Sequence, residues 1–405
     1  MASTPGTPRL LRAINDRAAL DLLLEEGPLS RTRLGALTGL SKPTASQLLG
    51  RLEAAGLVVP TGTTAGRPGP SAQLYEVNPQ AAYVAGLDVT PARIRAAVAD
   101  ITGSTVGGFE LPTPGRRAQG TVDRVLKAVD GALGEAGIGR EKLHRVVIGT
   151  PGAFDPSTGR LRYARHLPGW HSPHLLDELA AALGVPLEVD NDVNLAAVAE
   201  QRIGHAKDVG DFVLLWGEEG IGAAVVIGGR LHRGATGGAG EVAFMPLPGT
   251  PVVRNVSRMN EGGFQALAGA LPVLQLAREH GLSAPNAEEA LVEALNTPGA
   301  GDAVLEEFAH RLAVGLASMV AVIDPHLVVL AGGVITAGGE RLRALVQAEL
   351  AELAVPRPKL QLTAVTENPV LCGALQSALS TTRDEVFDTT LTTGATGVSK
   401  ASSTD

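Results

Sequence analysis

Two short stretches hold the residues best suited to chemistry. Asp190-Asn191-Asp192 follows the run Leu187-Glu188-Val189 and opens an Ala-rich stretch from Leu195 to Gln201. A carboxylate beside an amide at the end of a strand can accept and orient hydroxyl groups. Asn191 or Asp192 could equally cap the helix that follows. The second stretch, 234–241, packs four glycines before Glu241. Clustered glycine marks backbone that bends unusually or approaches something closely. A carboxylate fixed behind such a turn can accept hydrogen bonds from a polyol; a surface Glu on an exposed loop is the alternative reading.

These side chains need a scaffold of alternating strands and helices. The apolar run Ile221–Ile227, broken at Gly228-Gly229 and resumed at Leu231, reads as a hairpin. Tyr83–Leu87 with Arg93–Asp100, Val146–Gly149, Leu187–Asn191 and Leu327–Leu330 read as strands. Stretches 117–136, 287–295, 304–322 and 374–379 read as helices. Such alternation predicts open, mostly parallel sheets with ligands beyond the strands' carboxyl ends.

The first 77 residues differ in kind. Leu11, Ile14, Ala18 and Leu22 recur at helical spacing, and Gly27-Pro28 stops that helix. Ser30 caps a short helix ending at Gly39. Ser41 caps a third, with Ala45, Leu48, Leu49 and Leu52 as its apolar stripe. Leu57–Val59 and Leu74–Val77 flank a Gly/Pro-rich tip. Helix, short helix, turn, polar-faced helix and two strands is the order of a winged helix-turn-helix. Up to Tyr75, eight basic residues outnumber five acidic ones, although the chain's net charge is −8. That local reversal suits phosphate contacts. By groove-docking geometry Thr44, Ser46 and Gln47 are candidates for base edges and Lys42 and Arg51 for phosphates, with Arg31 a further DNA-binding candidate. A small helical protein-interaction module is the competing reading.

The bulk properties bound the rest. At ~100–200 residues per domain, 405 residues predict two to four domains. A single cysteine, Cys372, excludes a disulfide framework and a multi-cysteine zinc site. No apolar run suits a signal peptide or a membrane span, so a cytoplasmic location is expected.

The run through Gly-Ala-Thr-Gly-Gly-Ala-Gly-Glu241 resembles the signature of the ROK family of repressors, open reading frames and sugar kinases. Thr150-Pro151-Gly152 with Asp155, and Leu167-Pro168-Gly169-Trp170, resemble further family motifs. The resemblance extends over nearly the whole chain and lies toward the xylose and N-acetylglucosamine repressor branch. It implies an α/β fold: residues 1–77 as a winged helix-turn-helix, and 78–380 as a two-lobed, actin-like (ribonuclease H-like) sugar-sensing domain. The Thr/Ser-rich tail 381–405 is expected to be disordered. It also implies a sugar site of Gly152, Asn191, Asp192, Glu241 and Glu261, and a wing tip, Gly66 to Gly69, carrying Arg67 into or near a minor groove.

Three departures shape the expected function. The family's first phosphate loop, Asp-x-Gly-Gly-Thr, is here Asp88-Val89-Thr90-Pro91-Ala92, without glycine and with a proline that donates no N–H. The second carries Glu218-Glu219, where each carboxylate near a polyphosphate repels it by ~1 kcal/mol or more. The family's zinc knuckle is replaced by Val242–Pro246, so apolar packing of Phe244 and Met245 is expected instead of a metal, with no cofactor. The expected protein is therefore a sugar-responsive transcriptional regulator, a repressor of carbohydrate genes rather than an enzyme. Its partners would be double-stranded operator DNA, a small sugar and its own copies in a homodimer or tetramer, with no membrane. The alternatives are a ROK sugar kinase with an added DNA-binding module, or a regulator answering a partner protein or a sugar phosphate.

Overall fold

The computed structural model describes residues 8–63, 72–113, 120–155, 160–162, 167, 169–172, 174–252 and 262–388. Arg67 and Glu261, with the wing tip and the tail beyond Asp388, lie outside them.

The N-terminal unit runs α1 (Pro8–Glu26), β1 (Leu29–Ser30), α2 (Arg31–Thr38), α3 (Lys42–Ala54), β2 (Val58–Thr63) and β3 (Gln73–Val77). The caps are as the sequence predicts: Ser30 accepts from the Arg33 amide, Ser41 from the Thr44 amide, and Gly39 ends α2 in the left-handed region. Ala45, Leu48, Leu49 and Leu52 are all buried. The wing is a three-stranded antiparallel sheet ordered β1-β3-β2, whose first strand was not anticipated. One expectation is corrected. The buried face of α1 is Asp16, Ala19, Leu20 and Leu23, whereas Leu11 and Ile14 are more than half exposed.

Two sheets of identical topology follow. The first lobe contains β4 (Tyr83–Val89), β5 (Arg93–Asp100), β6 (Thr105–Pro112), α4 (Thr121–Ala136), β7 (Leu143–Thr150), the short pair β8 (Ala153–Asp155) and β9 (Arg160–Arg162), α5 (Leu175–Leu183), β10 (Leu187–Asn191) and α6 (Asp192–Ile203). The second has β11 (Phe212–Gly217), β12 (Ile221–Ile227), β13 (Arg230–Leu231), α7 (Gly263–Ala268), α8 (Ala270–Glu279), α9 (Ala287–Leu295), α10 (Ala300–Ile323), β14 (Leu327–Ala331), α11 (Gly333–Ala337), α12 (Gly339–Leu353) and β15 (Lys359–Leu362); α13 (Pro369–Val386) closes the chain. The sheets order as β6-β5-β4-β7-β10 and β13-β12-β11-β14-β15. In each, an antiparallel meander is extended by two parallel strands, the duplicated ribonuclease H-like pattern of an actin-like fold. Central strands β4 and β14 are buried along their whole length, as strands covered on both faces must be.

Helix α6 sits between the lobes. Leu195 packs with Val370 and Ala374 on the first sheet, while Val193, Ala196 and Ala197 pack with Phe212, Leu214 and Ala224 on the second. It crosses α13 in backbone contact: a Cβ at Gly373 would stand 1.8 Å from the Leu195 carbonyl oxygen.

The expected domain limits need adjustment at the end of the chain. Helix α13 continues through 381–386, and Phe387 is 1% exposed within the N-terminal unit's own core, beside Leu20, Leu52 and Ile101. The polar look of 381–384 is misleading, because Thr382 is buried and Arg383 donates to the Ile101 carbonyl at 2.9 Å.

Candidate functional site

The interlobe cleft is assembled from strand ends. It encloses about 460 Å3 and is lined by Thr90–Arg93, Pro151-Gly152, Asn191–Asn194, Trp216, Glu218–Ala223 and residues of the glycine-rich loop through Glu241. Four of the five residues that the resemblance assigns to sugar, Gly152, Asn191, Asp192 and Glu241, converge there.

Both readings of Asn191 hold. Its Oδ1 caps α6 by accepting the Asn194 amide at 3.1 Å, and its Nδ2 donates to the Gly152 carbonyl at 3.2 Å. The cap fixes the side chain that lines the cleft. Among the described residues, Asp192 accepts only its neighbour's amide, Val193 N at 2.8 Å. Burial raises its carboxyl pKa to about 7; repulsion from Asp88, Glu218 and Glu241 adds to that, and the Val193 N–H works against it. Near neutrality this carboxyl can donate a hydrogen bond or accept one, as a sugar hydroxyl requires. Glu241 is also pushed up by burial.

The glycine-rich loop bends so closely that its type is dictated. Gly240 has φ 92°, its carbonyl accepts the Ala223 amide at 3.0 Å, and a Cβ there would sit 1.9 Å from the Ala223 oxygen. This contact delivers Glu241 to the cleft. Arg233 of the same loop pairs with Asp190 at 2.6 Å, tying the second lobe to the end of β10. Sequence reading missed this brace, in which Asp190 is held by Arg233, Asn194 and the Asn191 amide.

The loops at 88–93 and 217–222 are closed on themselves. The Thr90 amide donates to the Arg93 carbonyl at 2.9 Å and the Arg93 amide to Thr90 Oγ1 at 3.2 Å; Pro91 has no N–H. In the second loop the Glu218 amide donates to the Gly220 carbonyl at 3.0 Å, and Gln265 of α7 clamps Glu219 and Ile221. The Glu218 side chain is open to the cleft, yet its carboxyl is shifted upward by burial and then by Glu288, Asp88 and Glu219. At 332–333 the strand-to-helix turn is filled from within, since a Cβ on Gly332 would meet the Gly217 backbone at 2.4 Å.

Met245 packs against the second lobe's core; Phe244 is half-buried and outside the cleft. Among the described residues no group of three or more His, Cys, Asp or Glu is placed to hold a metal.

On the N-terminal unit, Lys42, Thr44 and Gln47 are exposed on α3 and Ser46 is half-buried. Two candidates are engaged within the protein. Arg51 Nη2 reaches Asp16 Oδ1 at 2.7 Å, and the Arg31 guanidinium lies 5.3 Å from the Tyr75 ring centroid while donating to its hydroxyl. The Thr44 hydroxyl is 2.8 Å from Ser41 Oγ, within the helix cap.

The ROK family model matches residues 84–378. The chain belongs to the ROK family. Residues 13–67 match the MarR family model. Among ROK relatives, the xylose repressor of Caldicellulosiruptor bescii is 23% identical over 93% of this chain and 98% of its own. A glucokinase of Halalkalibacterium halodurans is 26% identical over 65% of this chain and 84% of its own. The ROK hexokinase of Thermus thermophilus superposes with TM-score 0.63 at 28% identity, covering 75% of this chain and 99% of that one. A ROK transcriptional regulator described as a homolog of the E. coli MLC protein reaches TM-score 0.71 at 20% identity, covering 93% and 97%, a likeness that includes the N-terminal unit. No described helix is long and apolar enough to cross a membrane.

Proposed function

We propose that the protein is a sugar-responsive, DNA-binding transcriptional regulator, a repressor of genes for carbohydrate uptake or catabolism. The observation that carries this reading is the shared core: Ile101 and Phe387 of the ligand-binding domain are buried inside the winged helix, so the two cannot move independently. Relatives named xylose repressors, one of them matched over 98% of its length, support it. In this reading a sugar in the cleft touches Gly152, Asn191 and Asp192 of one lobe and Glu241 of the other. Closure tilts α6 and α13, on which the DNA-binding unit rests. The effect is a population shift, bounded by the sugar's preference for the closed state.

The cleft's chemistry bears on the ligand. Among the described residues, Asp192, Glu218, Glu219 and Glu241 face it against Arg93 alone, which favours an uncharged polyol over a sugar phosphate. Kinase activity is not part of this reading. Asp192 could serve as the base, but the amides of Thr90, Arg93 and Glu218 are spent within their own turns, and phosphoryl transfer depends on positioning and neutralising phosphate charge. Reading two half-sites requires at least a homodimer. The test is salt-controlled binding to the DNA upstream of the protein's own operon, with and without a sugar panel. One sugar weakening a specific complex is expected. Specific binding that no sugar alters would refute the sugar response. A variant unable to dimerise that still bound operator at full affinity would refute the dimer.

A further inference from the structure

A second cavity lies where the DNA-binding unit meets the ligand-binding domain. It encloses about 270 Å3 between α1, the far end of α6 and α13. Its walls carry Arg202 and Arg383 on one side, and Asp21 and Glu25 of α1 on the other, with Gln376 and Ser380 at its base. Arg17, also present, is already neutralised by Asp21 at 2.9 Å and Asp384 at 2.7 Å.

Arg202 and Arg383 are different. Among the described residues neither has a carboxylate within ion-pair reach; Arg202 donates to Ser380 Oγ at 3.1 Å and Arg383 to a backbone carbonyl. Arg383 is half-buried; burial lowers its pKa most and repulsion from Arg202 next, while Asp21 and Asp100 act in the opposite direction. The two guanidinium groups repel each other, and Asp21 and Asp100 act on the half-buried Arg383 only from beyond ion-pair reach, so an oxyanion between the two arginines would relieve that repulsion. Each still offers N–H donors in the planar fork that fits phosphate, with the Gln376 amide nearby.

We propose that this cavity is a phosphate-type anion site, held by Arg202 and Arg383, for inorganic phosphate or the phosphate head of a small metabolite. It is separate from the sugar cleft and sits at the opposite end of α6. Glu25 faces the same space and limits affinity, so an occupant would press on the α1 wall through that charge.

The test is calorimetric titration of the full-length protein with inorganic phosphate at fixed ionic strength. Saturable binding is expected, weakened ~10-fold or more by Arg202→Gln, whose side chain is exposed and whose loss spares the core. Glu25→Gln should tighten it several-fold, a gain that misfolding cannot mimic. A parallel titration with a hexose 6-phosphate separates the sources. If it competes with inorganic phosphate and is weakened by Arg202→Gln, the site accepts the head group of a metabolite; if it does not compete, the occupant is the free ion. Phosphate binding that never saturates, or that is unchanged in Arg202→Gln and Glu25→Gln, overturns the proposal. So does hexose 6-phosphate binding alone, abolished by Asp192→Asn and untouched by Arg202→Gln.

Discussion

Arg51 of the recognition helix reaches back to α1, its Nη2 lying 2.7 Å from an Asp16 carboxylate whose side chain is 4% exposed. The pair braces α3 against the helix behind it, and so sets the angle at which the polar face of α3 is presented. Arg51→Ala should therefore lower stability by about 1–3 kcal/mol, the usual cost of removing a charged partner from a largely buried group. Lys42 is exposed at the first turn, so Lys42→Ala should leave the melting curve unchanged but reduce the salt slope of DNA binding by about 1. Chemical denaturation and salt-dependent binding of both variants check the division. An Arg51→Ala protein of wild-type stability with a reduced salt slope would make Arg51 a phosphate contact after all.

The raised Asp192 pKa has a signed consequence. Between its unfolded value near 3.8 and its folded value of about 7 the native state binds the proton and the unfolded chain does not. Stability thus falls as pH rises through that window, by at most about 4 kcal/mol. Asp192→Asn should flatten the slope there and raise the melting temperature at pH 8. Glu218 and Glu241, shifted in the same direction, leave a smaller residual slope. Melting curves from pH 4 to 8 read this directly. An unchanged slope would mean that Asp192 is solvated.

Local grammar was legible in the sequence; partnerships across distance were not. Ser30, Ser41 and Gly39 announce α2 and α3 because a cap depends on residues three or four away. The buried face of α1 was misassigned because it contains Asp16, which pairs with Arg51, 35 residues on. The end of α13 looked like tail because Thr381, Thr382, Arg383 and Asp384 are polar, whereas Ile101 and the core around Phe387 hold that turn in place. In the cleft, motif residues point to Asn191, Asp192 and Glu241 without difficulty. The Asp190–Arg233 brace joins two loops whose proximity no local pattern encodes.

Gly240 tests how Glu241 is positioned. With φ 92° and a Cβ that would overlap the Ala223 oxygen at 1.9 Å, Gly240→Ala must displace the loop from the edge of β12. A stability loss of at least about 2 kcal/mol is expected, together with loss of any sugar-induced thermal shift. Gly238→Ala is the control, since a Cβ there meets nothing closer than Thr236 Oγ1 at 3.4 Å. Equal effects from the two would show that the approach to Ala223 does not position the site.

Phe387 tests the coupling itself. Its ring fills the winged-helix core although it belongs to the extension of α13, and the Arg17 guanidinium lies 5.8 Å from its centroid. Phe387→Ala should destabilise by about 3–5 kcal/mol, the range for truncating a fully buried aromatic ring. The more telling expectation concerns ligand response. The exposed polar residues of α3 are untouched, so folded Phe387→Ala protein should keep measurable operator binding. The factor by which sugar weakens that binding should shrink toward one, because the unit would no longer be carried rigidly by α13. Phe387→Leu restores most of the buried volume and should recover most of the response. Titrating operator DNA with and without sugar for all three proteins gives the coupling factor. If Phe387→Ala keeps the full factor while losing stability, the signal passes to the DNA-binding unit by another route.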